Sequence, residues 1–304
     1  MNNQELIMLQ ALPLEIKVAK TKLRIREWVD YYGEENVYIS FSGGKDSTVL
    51  LDLVRSEYPN IEAVFVDTGL EYPEIKQFVK SFNNVKILRP NMSFKQVIDK
   101  YGYPIISKEQ SRYLYDIKHG TEYMKELRLN GTEQGNFKLS KKYHYLIDAP
   151  FEISNKCCDI MKKQPIKKYE KETGKVPFIG TMADESNMRK RNYLKYGCNS
   201  FDLKSPSSKP LSFWKQQDIL EYIYINNIKI SSVYGDVIKE DDKFRTTLCN
   251  RTGCIFCGYG LHLEKSPNRF QLLEQTHPQL HNYCMENLGF KDVCEFMNIE
   301  YKNK

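Results

Sequence analysis

The chain has 304 residues, of which 41% are apolar and 28% charged, with a formal net charge of +6. That supports a sizeable core and excludes a collagen-like or largely disordered chain, and no apolar run approaches the roughly 18 residues needed to span a bilayer. The first twenty residues carry no basic start, apolar core and small-residue cleavage site, so the expectation is a soluble cytoplasmic protein with no membrane partner. The small positive excess suits a phosphate-bearing ligand and permits nucleic acid without requiring it.

Taken in chain order, residues 14–31 read as a helix, with Leu14, Val18, Leu23, Ile25, Trp28 and Val29 as its apolar positions. Val37 to Phe41 reads as a buried strand, and a helix carrying Val49, Leu50, Leu53 and Val54 on one stripe follows it. A strand over 61–66, a helix near 72–82, a strand at 85–88 and a helix over 93–101 continue the alternation. Residues 103–156 break it. They read as a Tyr-, Lys- and Asn-rich insertion with a helix over 107–128. A helix after Cys158, a strand at 176–179 and a helix at 214–226 resume the pattern, and past about 245 short helices surround a Cys-bearing turn. Alternating strands and helices predict an α/β fold with a doubly wound, mostly parallel sheet. The expected division is a helical segment to 35, a nucleotide-binding domain over 36–244 with its insertion, and a helical, Cys-bearing appendage over 245–304.

Between the first strand and the next helix stands Ser42-Gly43-Gly44-Lys45-Asp46-Ser47. Two glycines let the backbone turn tightly and point its N–H groups at an oxyanion. The helix N-terminus adds its dipole and Lys45 a point charge. This is not a Walker A loop, which needs G-x-x-x-x-G-K-[ST]. The plain alternative is a strand–turn–helix connection capped by Asp46.

The loop resembles the PP-loop of adenine-nucleotide α-hydrolases, which include the N-type ATP pyrophosphatases. Val66 to Glu74 (VDTGLEYPE), Cys157 to Pro165 (CCDIMKKQP) and Gly180 to Arg189 (GTMADESNMR) resemble segments of the phosphoadenosine-phosphosulfate (PAPS) reductase family. The resemblance implies a Rossmann-like, adenine-nucleotide α-hydrolase fold with ATP, PAPS or adenylylsulfate bound across the C-terminal edge of the sheet. It places Ser40, Phe41, Ser42, Gly43, Gly44, Lys45, Asp46 and Ser47 at the phosphates. Asp67, Thr68 and Gly69 fall by the ribose or adenine, and Gly180, Lys162 and Arg189 complete the nucleotide contacts. Lys45, Asp46 and Arg189 would be the catalytic residues, with Mg²⁺ bound if ATP is cleaved.

Of eight cysteines, four form tight pairs, Cys157-Cys158 and Cys254-x-x-Cys257. In a reducing compartment such pairs point to metal or redox chemistry rather than disulfides. The pattern resembles the [4Fe-4S] ligand set of the adenylylsulfate-reducing branch. Zinc on four thiolates is the competing reading, and adjacent cysteines weigh against it because both must reach one ion. Cys249 is a reserve ligand, since Cys249-x4-Cys254-x2-Cys257 has a ferredoxin-like spacing. Cys198, Cys284 and Cys294 have no partner spacing. His277 and His281, four apart, are read as structural rather than ligating.

Two features depart from the reductases. Neither Cys284 nor Cys294 stands in the Glu-Cys-Gly-Leu-His type of segment those enzymes use, and the Lys45-Asp46 pair keeps the phosphate loop intact. The favoured expectation is therefore ATP-dependent adenylation followed by sulfur transfer to an acceptor, nucleic acid among the candidates. A cysteine desulfurase would be the sulfur donor. Thiol-dependent reduction of PAPS or adenylylsulfate is the alternative, with a thiol reductant as partner, and a non-catalytic nucleotide sensor is the third.

Overall fold

A four-residue strand with Val37, Tyr38 and Ile39 all buried must be covered on both faces. This strand, β1 (Val37–Ser40), is preceded by α1 (Asn3–Gln10), opened by an Asn2–Glu5 capping box, and by α2 (Leu14–Tyr32). The computed structural model describes residues 2–303. After β1 come α3 (Lys45–Arg55), β2 (Ala63–Val66), α4 (Pro73–Lys80) and β3 (Val85–Leu88). Next are α5 (Phe94–Tyr101), β4 (Ile105–Ile106), α6 (Lys108–His119) and α7 (Glu122–Asn130). The chain continues through α8 (Gln164–Thr173), β5 (Val176–Ile179), α9 (Asn187–Tyr196), β6 (Asn199–Ser200), β7 (Ser207–Ser208) and α10 (Gln216–Ile225). It then forms the hairpin β8 (Val237–Glu240) and β9 (Lys243–Thr246), followed by β10 (Gly258–Tyr259), α11 (Arg269–Thr276), α12 (Pro278–Asn282) and α13 (Phe290–Phe296).

These elements fall into two units, the first made of the chain as far as Asp67, Glu71–Arg89 and Ile166–Thr252. Its six-stranded sheet runs β3-β2-β1-β5-β7-β6, parallel throughout except for β6 against β7. Alternation along β1 separates two faces. Val37 and Ile39 join a core with Trp28 of α2, Val49 and Leu53 of α3, and Ile219 of α10. Tyr38 and Val64 point to the other face, against Tyr169 of α8. The sheet is covered on both sides, as the doubly wound expectation requires. The chain builds β2 and β3 on one side of β1 and then crosses to β5 on the other. This makes a topological switch point at the carboxyl ends of β1 and β5, where such sheets bind ligands.

The second unit comprises Thr68–Leu70, Pro90–Pro165 and Gly253–Lys304. Phe94, Phe256, Phe270 and Phe290 meet in its core, and β4 pairs in parallel with β10. A side chain at Gly258 would lie 2.8 Å from the Pro104 carbonyl, so that pairing needs glycine.

Three local features depart from the periodicity. The single helix expected over 107–128 is two, because Thr121 caps a new helix through Met124 N while the Gly120 amide closes the old one on Asp116 O at 2.8 Å. The helix after Cys158 starts as a π-helical turn, Asp159–Lys163. The hairpin β8–β9 and the two-residue strands β6, β7 and β10 carry too little alternation to be read from sequence. Among the described residues, no helix is long and apolar enough to cross a membrane.

Candidate functional site

In the first unit the loop after β1 occupies the switch point. The Phe41 amide donates to Val64 O at 2.9 Å and its ring packs edge-on to Phe82, so Phe41 offers the loop only backbone. Gly43 has φ +72°, and a Cβ there would lie 2.7 Å from Val79 and 2.8 Å from Ile75. The loop therefore lies against α4 as bare backbone. Ser47 Oγ donates to Gly44 O at 2.9 Å and accepts from Ser42 N at 3.2 Å, which folds the turn onto the first turn of α3. Gly180, just past β5, brings its α-carbon against the Asp46 carbonyl, where a Cβ would sit at 3.1 Å. Ser40, at the half-buried end of β1, leads into this turn.

Lys45 is only 3% exposed, and its Nζ lies 3.1 Å from Asp46 Oδ1. Asp46 Oδ1 is buried without an aligned hydrogen bond, so the contact is a charge pair rather than a directed bond. The Lys45 amide makes only a long contact, 3.4 Å, to the Tyr234 hydroxyl. Tyr234 in turn shares a 2.6 Å hydrogen bond with Thr252 Oγ1, and burial pushes its phenol pKa up. The geometry is that of an anion cradle: a helix N-terminus, two glycines and a buried ammonium.

Asp67, at the end of β2, pairs with Lys76 at 2.8 Å and lies 3.9 Å from Arg89. Arg189, at the start of α9, is paired with Glu185, which also holds Arg251 at 3.1 Å and accepts from Met182 N at 2.9 Å. Lys209 is nearby, its pKa lowered first by burial and then by the Arg189 charge. Glu185 thus organises a cationic group of which the sequence pattern marks Arg189; Lys162, expected beside it, belongs to the second unit. Tyr234, Thr252, Lys209 and Arg251 are not marked by that pattern, since none belongs to a spaced motif. Only the place of Arg251-Thr252 just before Gly253-Cys254 hinted at a role.

The second unit holds Thr68, whose hydroxyl accepts from Leu70 N at 3.2 Å, Gly69, Lys162 and both cysteine pairs. The thiols of Cys158, Cys254 and Cys257 all act on Cys157, whose pKa is driven up first by its hydrogen bond with Cys158 and then by burial. Cys158 moves the other way, down to about 6. The Cys157 hydrogen bond leads, burial opposes, and Lys108 and Lys162 add their charges. Cys257 N donates to Cys254 O at 3.1 Å, the tight turn expected of a C-x-x-C knuckle, and Arg269 donates to Cys257 O at 3.0 Å. Among the described residues, no three His, Cys, Asp or Glu side chains converge closely enough to hold a single metal ion as they stand. Cys249 belongs to the first unit, where its thiol donates to Arg251 O at 2.8 Å and feels the charge of Lys45. Cys284 and Cys294 are fully buried. His281 is buried with its Nε2 2.7 Å from Tyr301 O, the structural role expected.

A mostly parallel sheet covered by helices on both faces defines a doubly wound α/β chain. The chain belongs to the phosphoadenosine phosphosulfate reductase domain family, whose sequence profile matches residues 36–128 and 122–258. It is similar to the adenosine 5′-phosphosulfate reductase of Geobacillus kaustophilus, with 27% identity over 193 residues covering 64% of each chain. It is also similar to an uncharacterized protein of Methanocaldococcus jannaschii, at 24% identity over 82% of this chain and 46% of that one. The chain thus spans about half to two thirds of these relatives' lengths. Among solved structures, the phosphoadenylyl-sulfate reductase of Candida auris covers 76% of this chain and 90% of its own, at 15% identity and a TM-score of 0.42.

Proposed function

We propose that the chain is an enzyme of sulfur metabolism that binds ATP at residues 42–47, adenylates an acceptor and then exchanges the activated oxygen for sulfur. One observation carries this reading: the phosphate loop is complete, with Lys45 buried beside Asp46 at the N-terminus of α3. In the first step an acceptor carbonyl oxygen attacks the α-phosphorus, and the bond to the bridging oxygen breaks. Pyrophosphate leaves with that electron pair. The loop amides, the α3 dipole and Lys45 compensate the developing charge. Asp46 would hold Mg²⁺. In the second step a hydrosulfide adds to the activated carbon, the oxygen departs with AMP, and the sulfur's proton passes to pyrophosphate. Buried Tyr234, held by the half-buried Thr252, positions the loop through the Lys45 amide.

The donor set around Cys157 fits an iron–sulfur cluster better than one ion. Four thiols lie within electrostatic reach of one another, two of them adjacent in the chain and so ill-placed to share one ion, and Lys108, Lys162 and Arg269 supply compensating charge. Cys157, Cys158, Cys254 and Cys257 would hold a [4Fe-4S] cluster, which when bound supplies iron sites for sulfide.

The second reading, thiol-dependent reduction of adenylylsulfate or PAPS, is favoured by the names of the curated relatives. Against it, Cys284 and Cys294 are enclosed in the core, where neither thiol can attack a substrate sulfur. The test offers ATP with Mg²⁺, PAPS and adenylylsulfate separately to anaerobic protein, with candidate acceptors and a thiol reductant. ATP should give AMP and pyrophosphate, and Lys45→Ala should slow that release roughly a hundred- to a thousandfold. Sulfite release without pyrophosphate under any condition would replace this reading with reduction.

A further inference from the structure

Within the second unit, α6 and the segment around the first cysteine pair line an open pocket of about 410 Å³. Helix α6 contributes Lys108 and Arg112, one turn apart on one face, with Tyr115 beyond them. The other wall carries Lys156 and Lys163, and Cys158 also lines the space. Two carboxylates answer these four cations. Asp116 lies 3.6 Å from Arg112 and Asp159 lies 3.7 Å from Lys163, contacts too long for hydrogen bonds. The Lys156 ammonium sits 5.4 Å above the Tyr115 ring rather than in an ion pair. Four cations against two carboxylates leave a formal charge of +2 around one open pocket, reduced to +1 where the Cys158 thiol is ionised. Like charges gathered this way repel unless an anion joins them. The volume is at the lower end of the roughly 300–1,000 Å³ of small-ligand sites, room for more than a bare halide.

We propose that this pocket is a second phosphate-binding site, whose ligand is a phosphate ester group held by Lys108, Arg112, Lys156 and Lys163. The Arg112 guanidinium matches two phosphate oxygens at once, while the lysines act as point charges around it. The site belongs to the second unit, whereas residues 42–47 belong to the first, and it requires no cleavage of ATP. Its ligand is either a small phosphate ester or a backbone phosphate of a nucleic-acid strand. Both present the same oxygens.

The test uses the full chain carrying Lys45→Ala, so that the phosphate loop contributes little. Inorganic phosphate is titrated by calorimetry, and a short single-stranded RNA by fluorescence anisotropy. Phosphate should still bind, and adding Arg112→Glu should weaken it about tenfold or more, equivalent to at least about 1.4 kcal/mol. Lys163→Gln, at a side chain 64% exposed and remote from any core, should weaken it in the same direction without altering the thermal melt. If RNA binding falls in parallel and phosphate competes with it, the ligand is a strand; if RNA binding is untouched, it is a small ester. Phosphate affinity unchanged in both variants would overturn the proposal and leave these cations as counter-charges of the thiols. Because only variants in this pocket distinguish the outcomes, and the phosphate loop is held constant as Lys45→Ala throughout, the result is independent of whether ATP is ever cleaved.

Discussion

Gly43 and Gly44 stand side by side, yet the structure asks different things of them. Gly43 has φ +72° and lies where a Cβ would intrude on Val79 and Ile75, both buried. Alanine there pays about 1–2 kcal/mol for the left-handed backbone and meets two branched side chains as well. Gly44 has an ordinary φ of −76°, and its Cβ would lie 3.3 Å from Ser42 Oγ and the Tyr234 hydroxyl. Gly43→Ala should therefore lower the urea midpoint and weaken ATP binding, while Gly44→Ala should keep the fold within about 0.5 kcal/mol. Equal losses of stability would mean that the turn, not its contact with α4, limits the loop. This part of the site was legible because glycine and lysine are themselves the chemistry of an anion loop. Glu185 stood in the Gly180–Arg189 segment, but its partner Arg251, and Tyr234 with Thr252, were not legible. Their roles arise only when distant segments meet, and no spacing in the sequence announces that.

Between elements, α2 and the end of α3 are joined through Glu57. Lys22 and Arg26, one turn apart on α2, reach its two oxygens at 3.0 and 2.6 Å. Burial raises the Glu57 pKa, but the hydrogen bonds and charges of Lys22 and Arg26 outweigh it and hold the carboxyl below its usual value. A depressed folded pKa adds stability above the unfolded value, about 4.3, and that stability is lost as the pH falls through the folded pKa. Glu57→Gln should cost about 1 kcal/mol or less at pH 7, because Arg26 is exposed and the pair is screened. Urea titrations at pH 7 and in acid below the unfolded value should show the difference shrink as the pH falls. A penalty that does not shrink with falling pH would make the effect one of packing rather than charge. At this scale the long elements α2, α3 and β1 were readable, since each carries a full apolar stripe or run. The break at Gly120-Thr121 depends on a single cap, and two-residue strands are too short to show a period.

The two units differ in what holds them together, and that difference is measurable. The first has a six-stranded sheet and contains both tryptophans, Trp28 and Trp214, fully buried. The second has one two-residue strand pair, short helices and four of its cysteines drawn from segments far apart in the chain. If Cys157, Cys158, Cys254 and Cys257 hold a cluster, its binding energy is folding energy for that unit alone, because an unfolded chain offers no preformed site. Anaerobic protein should then carry about four iron and four sulfide per chain. Chelation or Cys158→Ala should remove them and lower the melting temperature of the second unit's share of the helical circular dichroism, splitting that transition. Tryptophan fluorescence, which reports only the first unit, should keep its transition. Cys249→Ala, placed in the first unit, should retain the iron. Stoichiometric zinc without sulfide would remove the cluster from the account, and loss of iron in Cys249→Ala alone would move one ligand to that residue. A tryptophan transition that falls together with the helical one would show that the units melt as one body and that the metal supports the whole fold.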